Sequence, residues 1–522
     1  MPKRQLILRI WLGGIVAFFA LSASAQKSNV AVRLLSLPDC IQMGLEHNLN
    51  VQIGRLSPAL ARYTLKASRG IYDPVLSLSA NKNFLDQPSQ FDPKKPGIDT
   101  EYELEVDSAG PSLAGRLPFG LNYSLSSISY YEHARTLFDI SNNPNAFNPL
   151  FGGTLDGIRF TNDWFQATGI TLSQPLLKDF WIDVYRRDIQ VNKKLLKVSE
   201  LTLRGLLITN VAQIETAYYD LLLAREQVKV QEKSLQVATQ LVANITKQVQ
   251  VGTLTDLDLQ NAQSAAETAR SGLAGALGIY ARQKNILKNL LTDNLQDWFR
   301  TDIEASENLI ALHEPANFQD SWVKALSGRT DLLAMGVDLE IDDINLRYLY
   351  NQLFPSLNLT GSYGWLEVER TFSGSLNSLR EGANAYYSAG VVLSFPLFNT
   401  TARANYKGGK ILKQQALLRL TQLEKDVITE VDNAVKIVDA TFSQVTATRQ
   451  ARTYAEAALN AQIKQFEAGT TNSFIVLEFQ RNLTAARSAE VVALADYNKA
   501  KAQLSVSEGT TLERHKINVK IH

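Results

Sequence analysis

Tyr72-Asp73-Pro74-Val75-Leu76-Ser77-Leu78-Ser79-Ala80 has a near copy in Leu353-Phe354-Pro355-Ser356-Leu357-Asn358-Leu359-Thr360-Gly361, 281 positions later. Gly169-Ile170-Thr171-Leu172-Ser173-Gln174-Pro175-Leu176 recurs as Gly390-Val391-Val392-Leu393-Ser394-Phe395-Pro396-Leu397. Gly252-Thr253 recurs as Gly469-Thr470, with Gln263 and Gln480 at the same offset of 217. Three matches in the same order make the chain an internal duplication, with copies over residues 26–305 and 306–510. The shrinking offset places an insert in the first copy, residues 85–163.

Each copy alternates two hydrophobic periods. Leu76, Leu78 and Ala80 alternate with Ser77, Ser79 and Asn81, and Leu357 and Leu359 with Asn358 and Thr360. This period of two predicts strands near 74–84, 167–177, 355–366 and 386–397, with one apolar face and one of small uncharged groups. Between them, Leu207, Ile214, Leu221, Val228, Leu235, Val242 and Val249 repeat every seven residues, with Ala217, Ala224, Ala238 and Ile245 three positions after members of the series. Ile428, Val431, Val435, Val438, Phe442 and Val445 keep the same spacing in the second copy. Heptads predict coiled-coil helices over 183–250, 253–292, 403–468 and 471–506. The first would reach about 100 Å, a rod with no place in a compact domain.

Prolines mark where one period gives way to the other. Pro74 and Pro355 precede their strands, while Pro175 and Pro396 end theirs. Proline neither continues a helix nor donates to a ladder, so these four set the strand–helix junction. Trp164, Phe165, Phe180, Trp181, Tyr185, Trp365, Tyr386, Tyr387 and Phe398 gather near the strands, as in a membrane interface belt.

Residues 1–25 read as an export signal, with Lys3, Arg4 and Arg9 before an apolar run and Ala23-Ser24-Ala25 as the cleavage site. The run is too short to span a bilayer. With 53 basic and 52 acidic residues, the net charge of +1 gives no reason to bind nucleic acid. The lone Cys40 reads as a small buried side chain, and the five histidines lack metal-ligand spacing. Lys407-Gly408-Gly409-Lys410 lacks the upstream glycine of a phosphate loop. The reading is therefore of no enzyme, no cofactor, no metal and no catalytic residue.

Strands of about 10 residues suit an outer membrane. Four per chain cannot close a barrel, and lipid does not tolerate open edges, so other copies of the chain must complete the wall. In the insert, Tyr102, Leu104 and Val106 alternate with Glu101, Glu103 and Glu105, and Phe119, Leu121, Tyr123 and Leu125 with polar neighbours. Whether this hairpin joins the wall, giving six strands, or extends beyond it is open from sequence. The stretch around residues 141–153 reads as loop, and the tail 511–522 has no clear reading. The competing architecture is a soluble periplasmic coiled-coil scaffold, which explains the heptads but not the proline-bounded strands.

On these features, with Asn48-Leu49-Asn50 and Arg329-Thr330-Asp331-Leu332 ahead of the first and third strands, the sequence resembles the TolC family of bacterial outer-membrane efflux and secretion channels. The resemblance implies a mainly α fold with a membrane β-barrel portion: a periplasmic α-barrel of long coiled-coil helices, plus a transmembrane barrel to which each chain gives about four strands. It implies a homotrimer with twelve strands in all, located in the outer membrane and extending into the periplasm. Implied partners are outer-membrane lipid, a periplasmic adaptor protein and an inner-membrane transporter of RND, ABC or MFS class. The turns at Gly252-Thr253 and Gly469-Thr470 match the family's periplasmic tips, where adaptor hairpins dock and the channel closes. Asp258 and Glu478 match acidic positions beyond those tips and are implied gate carboxylates. Ile475 replaces a second acid, and Thr471 stands where some members carry an arginine. The implied role is a passive, gated exit duct of a tripartite efflux or type I secretion system.

Overall fold

The computed structural model of the protein describes residues 31–87, 99–139, 147–148, 153–154, 157–298, 301–382 and 384–517. The export signal expected at 1–25 and the end of the tail, 518–522, lie outside the described residues. The first copy runs β1 (Ala31–Leu35), α1 (Leu37–His47), α2 (Leu49–Ser68), β2 (Val75–Gln87), β3 (Asp99–Arg116) and β4 (Asn122–Asp139). The two-residue β5 (Phe147–Asn148) and β6 (Gly153–Thr154) precede β7 (Gly157–Pro175). Then come α3 (Val184–Gln250), α4 (Asp256–Leu291) and a single turn, α5 (Leu295–Trp298). β8 (Thr301–Ala305) closes the first copy, and the second runs α6 (Phe318–Gly328), α7 (Thr330–Asn351), β9 (Ser356–Glu369), α8 (Phe372–Glu381) and β10 (Ala385–Ser394). It ends with α9 (Thr400–Glu467), α10 (Ser473–Glu508) and the short α11 (Thr511–Arg514).

β1 and β8 pair in parallel, Ala31 beside Thr301 through Leu35 beside Ala305. This pairing sets the start of the first copy beside its end, just ahead of the second. Tyr218 on α3 donates to the Leu35 carbonyl at 3.2 Å, and Arg225 donates to the carbonyls of Ala305 and Glu307 at 2.6 and 2.7 Å. Both copies are thereby hung on one helix. Their shared core holds Leu207, Val211, Ile214, Tyr218 and Leu221 of α3 against Cys40, Ile41, Val51 and Ile303. Cys40 is fully buried, and that burial pushes its thiol up to about 12. The tail also returns to this core, where His515 Nε2 lies 2.8 Å from the buried Glu215.

The long helices form because their heptads have partners. α3 packs along α4, α9 along α10, and α10 lies across α3. Asp183 caps α3 by accepting from the Arg186 amide at 2.8 Å, and no proline follows before the helix ends at Gln250. Val431, Val435, Val438 and Val445 of α9 are buried as their spacing requires, whereas Ile428 is left exposed.

The main sheet has the order β10-β9-β7-β4-β3-β2, antiparallel throughout. It therefore holds six strands, not the four or so expected per chain. Of the alternating stretches of the insert, Tyr102, Leu104 and Val106 lie in β3 and Tyr123 and Leu125 in β4, while Phe119 and Leu121 lie in the turn between them; β3 and β4 hydrogen-bond in sequence between β2 and β7. Of the presumed loop at 141–153, Phe147–Asn148 pairs with Gly153–Thr154, and the rest lies outside the described residues.

Candidate channel wall and helical tips

The register lays single rows of side chains across all six strands. On one face Leu76, Leu113, Leu125, Ile170, Tyr363 and Tyr387 stand side by side from β2 to β10. Around this row, Leu78, Leu172, Leu359, Val391 and Leu393 extend an apolar band that nothing among the described residues covers: Leu78 is 79% and Tyr387 84% exposed. On the opposite face the adjoining row is Ser77, Ser112, Ser126, Gly169, Gly364 and Tyr386, and the next is Val75, Ala114, Ser124, Thr171, Ser362 and Ser388. One face suits hydrocarbon and the other a water-filled lumen. A soluble scaffold would leave the leucine row facing water.

Farther along the strands, the apolar face changes to Lys82, Asp107, Tyr131, Trp164 and Glu369 in one row. Lys82 pairs with Glu105 and lies 3.5 Å from Asp107. Charges with Tyr131 and Trp164, whose rings lie 5.0 Å apart, mark the outer limit of the hydrocarbon. The expected aromatic belt is only partly of this kind. Trp181 and Phe398 are each 79% exposed near the junction, but Phe165 stacks on Tyr130 at 4.5 Å on the lumen face. Tyr386 also faces the lumen, and Tyr185 lies under the Arg116 guanidinium at 4.9 Å.

The junction is held by side chains that sequence reading missed. Pro175 ends β7 beside Asn358, and the Pro355 carbonyl accepts from the Lys178 amide at 3.2 Å. Pro74 stands just before β2, and Pro396 lies two residues past the end of β10. Asp179 takes a left-handed turn, φ 64°, that Asn351 fixes by accepting from its amide at 2.6 Å and donating to the Leu177 carbonyl at 3.3 Å. Asp183 accepts from Arg116 at 3.0 Å and from Arg186 Nε at 3.0 Å, and is itself almost wholly buried. An aspartate three residues before Arg186 is legible as a helix cap. Nothing in the sequence reveals that Arg116 meets it.

At the far ends, Gly252 (φ 78°) and Gly469 (φ 73°) close α3 and α9 in the left-handed conformation that favours glycine. Thr253 and Thr470 repeat one hydrogen bond, each hydroxyl donating back to the carbonyl of Gln248 or Gln465. Asp258 closes a capping box with Thr255 at the head of α4. Its other oxygen accepts from the Ser473 hydroxyl at 2.8 Å, so it joins the tips of the two hairpins. The hydroxyls of Thr255 and Ser473 hold its carboxyl below the usual carboxylate range. Glu478 is exposed, 3.8 Å from Arg481, and stands five residues beyond Ser473 on α10. Ser473 gives no sequence signal, because its partner lies 215 residues away.

Comparison with known proteins agrees with this geometry. The family model described as outer membrane efflux protein matches residues 161–292 and 322–510, well over half of the chain. The cation efflux system protein CusC of Escherichia coli K12 is 25% identical over 308 residues, 59% of this chain. That stretch spans 64% of the relative, less than two thirds of its length. A membrane protein from Pseudomonas aeruginosa shares the fold with a TM-score of 0.63 at 19% identity, covering 91% of this chain and 90% of that one. The CmeC outer membrane channel of Campylobacter jejuni also scores 0.63, at 16% identity, covering 91% and 85%.

Proposed function

Because this chain belongs to the outer membrane efflux protein family and sits in the bacterial outer membrane with its helices in the periplasm, we propose that it forms a homotrimeric exit duct in a tripartite efflux or type I secretion system. The observation that carries this is the pair of adjoining rows across six strands, one of leucine, isoleucine and tyrosine and one mainly of serine and glycine. Together they make a wall with lipid on one side and water on the other. The exposed lipid-facing band and the exposed aliphatic side chains on the rods, among them Leu277, Ile279, Leu412 and Ile437, support assembly.

The duct is passive, and an inner-membrane transporter of RND, ABC or MFS class supplies the energy. A periplasmic adaptor docks on the Gly252-Thr253 and Gly469-Thr470 turns. Asp258 acts in the gate as a latch: its bond to Ser473 holds the two hairpin tips of one chain together, and opening breaks it. Glu478, carried on the second tip with Ser473 and without a buried partner, contributes negative charge to the constriction. Planar-bilayer recording tests the reading. The purified protein should require detergent and give discrete conductance steps, whereas a protein soluble without detergent and silent in the bilayer would end it.

A further inference from the structure

We propose that the β3–β4 hairpin is built into the membrane wall and that three chains close edge to edge, β10 of one against β2 of the next, into a barrel of eighteen strands. This rests on the trimeric channel reading above and departs from the twelve strands that the family resemblance implies. The hairpin falls before residue 161, where the family match begins.

Three observations place the hairpin in the wall. First, its side chains belong to the rows: Leu113 and Leu125 continue the lipid row, and Ser112 and Ser126 continue the lumen row. A hairpin folded over the outside or plugging the lumen could not share both. Second, its connections follow the outer-membrane pattern of short periplasmic turns and longer outer loops. β3 and β4 are joined at the junction end by a tight turn in which Leu117 donates to Leu121 and Gly120 to Leu117, both at 2.8 Å. The connections on the opposite side, 88–98 and 140–156, are longer. Third, the turn is fastened to the rods, because Arg116 at the end of β3 reaches the buried Asp183 that caps α3.

The two outer strands then identify their partner. Among the described residues, β2 and β10 each pair on one side only. Val75 to Asn81 of β2 and all of β10 carry neither charge nor proline, the devices that protect a solvent-exposed edge from pairing. Unpaired ladder groups are costly in lipid. The sheet has an even number of strands, so β2 and β10 run in opposite directions, and a second copy meets the first as one more antiparallel neighbour. Such head-to-tail contacts close into a ring. With strands about 4.8 Å apart and tilted about 40°, twelve give a backbone cylinder about 24 Å across and eighteen about 36 Å, roughly doubling its cross-section.

Paired cysteines in the assembled protein test this, with the buried Cys40 left in place. Ser124→Cys with Thr171→Cys, neighbours on β4 and β7, should cross-link within one chain on oxidation or with a short bismaleimide. Cysteine at Ser77 or Ser79 on β2, combined with cysteine at Ser388, Gly390 or Val392 on β10, should join neighbouring chains into a covalent trimer for at least one pair. End-on electron microscopy of the trimer should show the wider ring. Cross-linking of Ser77→Cys with Thr171→Cys instead would put β2 directly against β7 and expel the hairpin, overturning the proposal while the channel still conducts. A conducting trimer with no β2–β10 product in any combination would equally overturn it. Loss of conductance and of the trimer in the unmodified protein would overturn the channel reading itself.

Discussion

Asp183 is the point at which wall, turn and rod meet, and removing its carboxylate should release the β3–β4 turn. In Asp183→Ala, α3 loses its cap, a cost of about 1 kcal/mol. Arg116 and Arg186, with side chains only 16% and 17% exposed, lose their shared counter-charge. Breaking a buried pair from one side costs about 3–5 kcal/mol, and the lower figure suits a junction near solvent. Asp183→Asn keeps a good cap and should show the charge effect alone, about 3 kcal/mol. The assay is hydrogen exchange at the Leu117 and Gly120 amides, which are bonded within the turn. If opening the turn becomes easier by about 3 kcal/mol, those amides should exchange about 150-fold faster. Arg116→Ala should have a similar effect, and the double substitution should add little to either, because the two residues share one interaction. Exchange within threefold of the parent in Asp183→Ala, or strict additivity in the double variant, would refute the clamp.

Three further outcomes follow from the same geometry. Ile170→Arg puts a charge on the lipid row midway between Trp164 and Pro175 and should cost about 2–4 kcal/mol, read as lost heat resistance of the trimer, whereas Thr171→Arg on the other face should be tolerated and alter conductance; equal effects would mean the faces are misassigned. Ser473→Ala and Asp258→Ala should each raise the open probability in bilayer recordings, and no change in either would exclude the latch. Because the folded carboxyl of Asp258 is held low, its contribution is complete above the usual carboxylate range and lost as the pH falls through the lowered value, so gating should be constant from about pH 8 to 5 and loosen only below about pH 4. Gly252→Ala should destabilise the first tip by about 1–2 kcal/mol from backbone strain alone, since a Cβ there meets nothing within 4 Å; protease accessibility of the turn measures it.

The implied gate residues divide along the same line as the wall. Asp258 could be picked out from its place after the Gly-Thr turn, yet its contact with Ser473 joins residues from opposite copies of the duplication. Glu478 could be picked out too, but only the fold shows it exposed beside Arg481. The aromatic residues behaved likewise: composition gathers them near the strands, while pairing sends Phe165 and Tyr386 to the lumen and leaves Trp181 and Phe398 exposed at the junction.

Local periodicity determined this protein's parts. A period of two or seven, a proline at the border and a glycine at a reversal act over a few residues, so Leu76-Ser77-Leu78, the heptads of α3 and the twin tips are written in the chain itself. The tertiary structure alone decided what depends on pairing across distance: that β3 and β4 enter the sheet between β2 and β7, that Arg116 meets Asp183, and that β1 and β8 lie side by side on one helix. An alternating strand has the same pattern wherever it pairs, because a ladder is made by backbone groups that every residue but proline carries. Which neighbour it takes is settled by the register that aligns one leucine row and one serine row across the whole wall.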